Sequence, residues 1–466
     1  MPVCLCFDIA AMSELHTTEE LLENNSVRSL VLRLGIPAMF GQFFNMLYSI
    51  VDRIFVGQIP ETGGLALAGI GVCAPALTAV TAFAYMVGIG GSSCMSISLG
   101  RKDRQRAEEI LGNSLLLFLI ISVAVTAVLL LIRRTVLYVL GCSDAMYPYA
   151  ESYFTIYICG TAASLCGVGL NQFLMAQGFA KKGMISVIIG AAANVILDPL
   201  LIFGCGMGIA GAALATVISQ CCMAVYVILQ LRSRKIPVRL QFHKFQPGIS
   251  GRILSIGSMS FLITILDNLI IILLNMVLRK YGGAAQGDRL ITCATVVQSF
   301  LTIVGCPAQG IVTGCGTIFS YHYGARHYEK IRQAFIWVFV LCGIYIGVLE
   351  IGVQAFPQVF AGLFLQDGSL IRDASAGLRM YTMGLLGIAV QYVFVDCLTA
   401  MGKVRLALPL SLFRKVLYIL CVIMLPRFFD IRYVFCSGTI SDAAGAVFSL
   451  ILFFCVANPE LKKELQ

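Results

Sequence analysis

The chain has 466 residues, 59% hydrophobic and 12% charged, with a formal net charge of +9 and a mean hydropathy of +0.89. Soluble domains run at roughly 45–50% apolar and about 25% charged, so a water-soluble globular protein is excluded. A transmembrane β-barrel is excluded as well, because short alternating segments are absent and runs such as Leu115 to Ile132 are unbroken.

Residues 1–29 carry Asp8, Glu14, Glu19, Glu20 and Glu23 and no Lys or Arg before Arg28. The segment thus lacks the basic start of a cleaved signal peptide, and the first span is expected to act as its own insertion signal. Apolar runs predict twelve spans, at 30–56, 66–96, 109–132, 150–176, 183–203, 208–231, 253–278, 290–320, 331–353, 375–400, 405–426 and 434–457. At about 20 apolar residues per span these need roughly 240 positions, and about 275 hydrophobic residues are present. Basic residues gather in alternate loops: Arg101, Lys102, Arg104 and Arg106 after span 2, Lys181 and Lys182 after span 4, and Arg232, Arg234, Lys235, Arg239 and Lys244 after span 6. Arg326, Lys330, Arg332, Lys403, Arg405, Lys462 and Lys463 continue the pattern, while Arg133, Arg134, Arg279, Lys280 and Arg289 are minor exceptions. The positive-inside rule then makes the basic loops and both termini cytoplasmic, in the plasma membrane (the inner membrane of a bacterium or archaeon). Basic residues spread over short loops are not the clustered footprint that nucleic acid requires. The eighteen cysteines fall mostly inside apolar runs and show no CxxC pair or metal spacing, so they read as packing residues.

The two halves repeat at an offset of about 222–224 residues. The stretch ending at Gly100 and Arg101 recurs around Gly324, Met175-Ala176-Gln177-Gly178 matches Thr399-Ala400-Met401-Gly402, and Leu34-Gly35 matches Ile256-Gly257. Six spans per half is an even number, so the halves enter from the same side and are related by an axis along the membrane normal, an arrangement common in secondary transporters. The predicted architecture is an all-α membrane protein with twelve transmembrane helices in two six-helix lobes related by a pseudo-twofold axis. The predicted parts are the N-terminal segment 1–29, a first lobe 30–231, a linker 232–252, a second lobe 253–457 and a tail 458–466.

Asp52 lies near the outer end of span 1, where a carboxylate is costly and functional by default; the bland alternative is pairing with Arg53. Asn194 and Asp198 share one face of span 5 by their i,i+4 spacing. Pro199 lacks an N–H and leaves the Val195 carbonyl without its helical partner, so the face offers hard oxygen ligands suited to H⁺ or Na⁺. Here the bland alternative is a helix end.

These residues resemble the multidrug and toxic compound extrusion (MATE) transporters, and more closely their DinF-like branch. The carriers are Leu34-Gly35-Ile36-Pro37, Asp52-Arg53-Ile54-Phe55-Val56-Gly57, Gly178 with Lys181, Leu197-Asp198-Pro199 with Ile202-Phe203-Gly204, and Gly208 to Ala213. The resemblance implies an ion-coupling cluster of Asp52, Asn194, Asp198 and Thr216, with any Na⁺ held by Asp52, Asn194 and Asp198, and no organic cofactor. Another branch of the family uses acidic residues of spans 7 and 10, where this chain has Asp267 and Asp396; Arg414 and Lys415 would supply their counter-charges. At the repeat offset, Leu274, Tyr418, Val422 and Ile440 replace Asp52, Asn194, Asp198 and Thr216, so coupling is expected in the first lobe alone.

The expected function is secondary active efflux of amphipathic, mainly cationic organic compounds by H⁺- or Na⁺-coupled antiport, through alternating access. Pro37 and Pro199 are expected helix-bending points. Met39, Gln42, Met46, Tyr85, Met259, Gln298 and Gln391 are candidate cavity liners, chosen by helix position and polarity. The alternative is a dedicated exporter or flippase of a lipid-linked or small metabolite. No catalytic residues are expected: His16, His243, His322 and His327 fall at cytoplasmic ends or loops, without an HExxH or GxSxG motif. The partners implied are small organic substrates and membrane lipids, and a monomer suffices.

Overall fold

Backbone N–H and C=O groups find no water inside a bilayer, so spanning segments satisfy them internally as helices. The computed structural model follows that rule across the residues it describes, which are 23–457 and 463 apart from 24, 60–62, 141, 143, 145, 234, 235, 242, 243 and 365–367. Most of the predicted segments 1–29 and 458–466 therefore lie outside the described residues. The helices of the first lobe are α1 (Val27–Gly57), α2 (Gly63–Gly100), α3 (Arg104–Leu131), the short α4 (Arg133–Val139), α5 (Tyr147–Cys159), α6 (Thr161–Ala176), α7 (Ala180–Pro199) and α8 (Ile209–Arg232). Helical backbone then runs through Pro247–Gly324 and holds two spans, α9 (Pro247–Gly282) and α10 (Arg289–Gly324). After them come α11 (Tyr328–Ala355), the short α12 (Pro357–Gly362), α13 (Gly368–Thr382), α14 (Leu386–Ala400), α15 (Val404–Phe428) and α16 (Cys436–Leu452).

Among the described residues ten helices are long and apolar enough to cross a membrane, and there are twelve spans when each of two bent pairs counts as one. The bent pairs are α5 with α6, at 56°, and α13 with α14, at 49°. A straight helix over Pro247–Gly324 would reach about 117 Å at 1.5 Å per residue. Yet a Cβ on Gly257, near one end, would collide with Met86, and one on Gly324, at the other, with Ile97. Both ends thus rest on one half of α2, and the chain doubles back between α9 and α10.

Apolar stripes face outward, as on α11, where Ile336, Val340, Ile344, Val348 and Ile351 are exposed at helical spacing. Polar side chains such as Asn113, Asn194, Asp198 and Asp442 are buried. This inversion suits lipid as the surrounding solvent.

The repeat is written into the backbone. Lys102 (φ 62°) and Arg326 (φ 59°) take the left-handed conformation at an offset of 224, as do Gly178 (φ 87°) and Gly402 (φ 75°). The bends obey the same offset: α5 gives way to α6 at Gly160, and α13 to α14 around Gly384. A Cβ at Gly160 would strike Val217 of α8, and one at Gly384 would strike Thr439 of α16. Neither bend falls at a proline, whereas α1 runs unbroken through Pro37. Pro199 ends α7 and leads into a wide turn, Leu200–Gly204.

The lobes meet at the end of the molecule that carries the basic loops. Gly90 of α2 lies against Ile253 and Gly257 of α9, Gly314 of α10 lies against Leu34 and Ala38 of α1, and Gly100 and Gly324 touch each other on the pseudo-axis. Glycine at these crossings lets backbones approach closely. Polar contacts add to the seam: Tyr321 Oη donates to Glu23 at 3.1 Å, and the Arg28 guanidinium lies 5.1 Å from the Trp337 ring. The segment between α8 and α9 is held on the first lobe, with Val238 N donating to Gln177 Oε1 at 2.8 Å and Gln246 N donating to Asn113 Oδ1 at 2.7 Å.

Candidate functional site

Asp198 is the penultimate residue of α7 and Asn194 stands one turn before it; they are 0% and 1% exposed. The i,i+4 spacing places Asn194 Nδ2 3.3 Å from Asp198 Oδ1, to which it donates. Asp52, buried near the end of α1, presents its carboxyl to that of Asp198 within hydrogen-bond reach. Asp198 Oδ2 accepts from no donor among the described residues. The alternative pairing of Asp52 with Arg53 involves a side chain outside the described residues.

Thr216 of α8 donates to the Ala212 carbonyl at 3.0 Å and reaches the hydroxyl of Tyr153, an electrostatic neighbour of Asp52. Tyr153 stacks on Tyr157 with ring centroids 6.3 Å apart, and Gln220 Nε2 donates to Tyr157 Oη at 3.1 Å. The four residues picked out in the sequence therefore converge in one buried cluster. Two carboxyls facing each other at low dielectric cannot both carry charge without compensation. Such a pair can share a proton or hold a small cation.

Beside the cluster opens a cavity of about 640 Å³, its mouth included, between α1, α2, α6, α7 and α8. Its wall carries six amide side chains, Gln42, Asn45, Asn171, Gln172, Asn194 and Gln220, together with Tyr85, Thr216, Ser219 and Met223, and no charged residue among the described ones. The Gln42 amide neighbours the Tyr85 hydroxyl. Asn194 and Thr216 belong to both cavity and cluster, so the carboxyl pair lies one side-chain layer behind the wall. An amide both donates and accepts, and Met adapts its shape; the wall can serve ligands with differing polar patterns.

Of the seven candidate liners, Gln42 and Tyr85 line this cavity. Met39 faces Gly310 across the seam between the lobes, Met259 is 1% exposed within the core, and Gln391 is buried in the second lobe, donating to Ser449 Oγ at 2.7 Å. Met46 and Gln298 are not among the cavity's lining residues either. Asn45, Asn171, Gln172, Ser219, Gln220 and Met223 escaped the sequence reading. Their signal was helical spacing: Thr216, Ser219, Gln220 and Met223 fall at i, i+3, i+4 and i+7, as do Val187, Gly190, Ala191 and Asn194.

The second lobe carries charges where the first carries this cavity. At offsets of 222–224, Asn45, Gln172, Gly190, Ala191 and Gln220 correspond to Asp267, Asp396, Arg414, Lys415 and Asp442. Lys415, 2% exposed, pairs with Asp267. Arg414 Nη1 is 2.9 Å from Oδ1 of Asp442, which is 1% exposed. Asp396 accepts from Gln309 Nε2. The expected pairing is thereby refined: Arg414 makes its direct ion pair with Asp442 of α16, unnoticed in the sequence, and faces Asp267 as well, while Lys415 faces both Asp267 and Asp396. Of the expected equivalents of the cluster, Leu274, Tyr418 and Val422 are buried and Ile440 is exposed; at the offset of 222 that matches Gln220 to Asp442, Thr216 corresponds to Gly438 instead.

A twelve-span, two-lobed bundle with a buried acid pair beside a polar cavity defines a membrane transporter rather than an enzyme. The MatE family profile matches residues 37–200 and 264–424, and the chain belongs to that family. It is 23% identical over 438 residues to the multidrug export protein MepA of Staphylococcus aureus strain MRSA252, covering 94% of this chain and 95% of that protein. It superposes with a TM-score of 0.88 and 23% identity on an outward-facing multidrug resistance MATE family transporter, covering 95% and 98% of the two chains. The same values hold for a MOP superfamily transporter from Pyrococcus furiosus, described as having a binding pocket of reversed polarity.

Proposed function

We propose that the chain exports amphipathic, mainly cationic organic compounds by antiport against H⁺ or Na⁺, with the first lobe as the exchange site. The observation that carries this reading is that Asn194 and Thr216 are shared by the Asp52–Asp198 cluster and the amide-lined cavity. A proton or Na⁺ on the carboxyl pair removes the negative charge behind the wall, and an organic cation in the cavity loses its electrostatic partner. Ion and substrate thus compete, and a ligand shifts a conformational equilibrium only through such differential affinity. The neutral wall supplies contact and the acid pair supplies the charge.

The protein is placed in the plasma membrane with basic loops and both termini in the cytoplasm. The glycine crossings then seal the cytoplasmic end, which corresponds to an outward-facing state. Substrate leaves when the ion arrives from outside, and the return to the inward-facing state carries the ion in. One chain contains both lobes and the whole site, so the monomer is the working unit.

The test is efflux of ethidium from cells expressing wild type, Asp52→Asn or Asp198→Asn, with the H⁺ and Na⁺ gradients collapsed separately. Export by wild type alone, lost with one of the two gradients, supports the reading and names the ion. No dye movement under any gradient overturns it in favour of a dedicated metabolite or lipid exporter.

A further inference from the structure

A second cavity, of about 570 Å³ with its mouth, lies at the basic-loop end between the α2–α3 turn of the first lobe and the start of α9 of the second. Arg101, Arg106 and Arg252 line it together with Cys94, and Asp103 is the one acid among its described lining residues. Asp103 is already engaged, capping α3 by accepting from Arg106 N at 3.0 Å. Arg106 reaches Glu109 at 3.3 Å and Gln246 at 3.5 Å. Neither Arg101 nor Arg252 pairs with an acid among the described residues. Three guanidiniums converge on one small space and raise the potential there, and the planar guanidinium fork matches phosphate oxygens.

The internal repeat supplies an independent argument. At an offset of 224, Ile97, Arg106 and Arg252 of this cavity correspond to Tyr321, Lys330 and Arg28. At that second location the chain provides its own anion: Glu23 accepts from Tyr321 Oη at 3.1 Å, and Lys330 Nζ donates to the Glu23 carbonyl. The segment that enters the first location is the end of the linker, where Gln246 and Pro247 stand and no acid occurs between Arg239 and Arg252. Basic residues recur at two of the three positions, Arg101 being matched by Ala325, and only the second location receives an acid from a distant segment, Glu23; at the first, Arg106 meets Glu109 of its own helix.

We propose that the cavity lined by Arg101, Arg106 and Arg252 binds a phosphate-bearing anion, which bridges the two lobes at their sealed end. The phosphate comes from an anionic lipid headgroup or from a free phosphate in solution. Bridging follows from the lining, since Arg101 and Arg106 belong to the first lobe and Arg252 to the second.

The experiment measures binding to the purified full-length protein in neutral detergent, by native mass spectrometry and by the shift of the thermal unfolding midpoint. The probes are short-chain phosphatidylglycerol, short-chain phosphatidylcholine and inorganic phosphate, applied to wild type, Arg101→Gln, Arg252→Gln, the double variant and a Lys102→Gln control. Phosphatidylglycerol or phosphate is expected to bind wild type and the control and to raise the midpoint, and zwitterionic phosphatidylcholine is not. Each single variant should bind about 10-fold more weakly, as the loss of a charge-assisted hydrogen bond implies, and the double variant should show no shift. Response to phosphatidylglycerol alone assigns the headgroup, and response to inorganic phosphate assigns a soluble anion. Unchanged binding in a double variant that unfolds at the wild-type midpoint without ligand overturns the site. Equal binding of phosphatidylcholine, or no binding by wild type, overturns it too.

Discussion

Asp198 is fully buried, has one oxygen bonded to Asn194 and neighbours the Asp52 carboxyl. Asparagine at this position keeps the shape and removes the site's capacity to change charge. Asp198→Asn resembles the proton-loaded site, so it should bind a cationic dye more weakly than wild type, and gradient-driven export should fall by about two orders of magnitude, roughly the 2.7 kcal/mol of an ordinary ion–substrate coupling. Equilibrium binding and efflux measured on the same variant separate the two. The Arg414–Asp442 pair makes a different prediction. Removing one partner of a buried pair costs about 3–5 kcal/mol, whereas replacing both with apolar groups is near neutral. Arg414→Met should lower the unfolding midpoint markedly, and Arg414→Met combined with Asp442→Leu should recover most of the loss. Asp52, Asn194 and Asp198 were legible in the sequence because carboxylates and amides stand out in apolar runs. Asp442 was not, because its repeat equivalent, Gln220, is neutral and its partner Arg414 lies 28 residues away on another helix.

Span number and repeat were legible because each rests on a pattern that the chain displays along its length. The bends at Gly160 and Gly384 were not, since no proline marks either of them. Their cause is tertiary: α8 and α16 cross so close that a side chain at either glycine would strike Val217 or Thr439. The prolines that were legible, Pro37 and Pro199, lie in an unbroken helix and at a helix end. At the seam, Gly257→Ala would drive a methyl into the Met86 carbonyl, while a Cβ at Gly251, on the same helix, meets nothing within 4 Å. Overpacking of this kind costs about 1–3 kcal/mol. Gly257→Ala should thus unfold several degrees below wild type and transport poorly, and Gly251→Ala should match wild type on both counts.

Across the whole molecule, one backbone plan is used twice and filled with two chemistries. In the first lobe the interhelical space is an amide-lined cavity backed by an acid pair. In the second, the same positions hold Asp267 with Lys415 and Arg414 with Asp442. Charge pairs that satisfy each other occupy space and rigidify it, which fits the proposal of an exchange site in the first lobe. The sequence disclosed this asymmetry only for the coupling cluster, where Leu274 and Val422 replace Asp52 and Asp198; the asymmetry of the cavity emerges from packing. Neutralising Asp267 and Lys415 together, as Asp267→Asn with Lys415→Gln, should leave ion-driven export within about threefold of wild type, measured as initial efflux rate, because exposed or compensated pairs contribute little net energy.

The most direct measurement uses purified protein in liposomes, with trapped reporters of pH and Na⁺ and an imposed gradient of each ion in turn. Wild type should dissipate one of the two gradients only after an amphipathic organic cation is added on the opposite side, and Asp198→Asn should dissipate neither. Gradient loss by wild type without substrate, or substrate-dependent loss by Asp198→Asn at the wild-type rate, would contradict coupling through the Asp52–Asp198 pair.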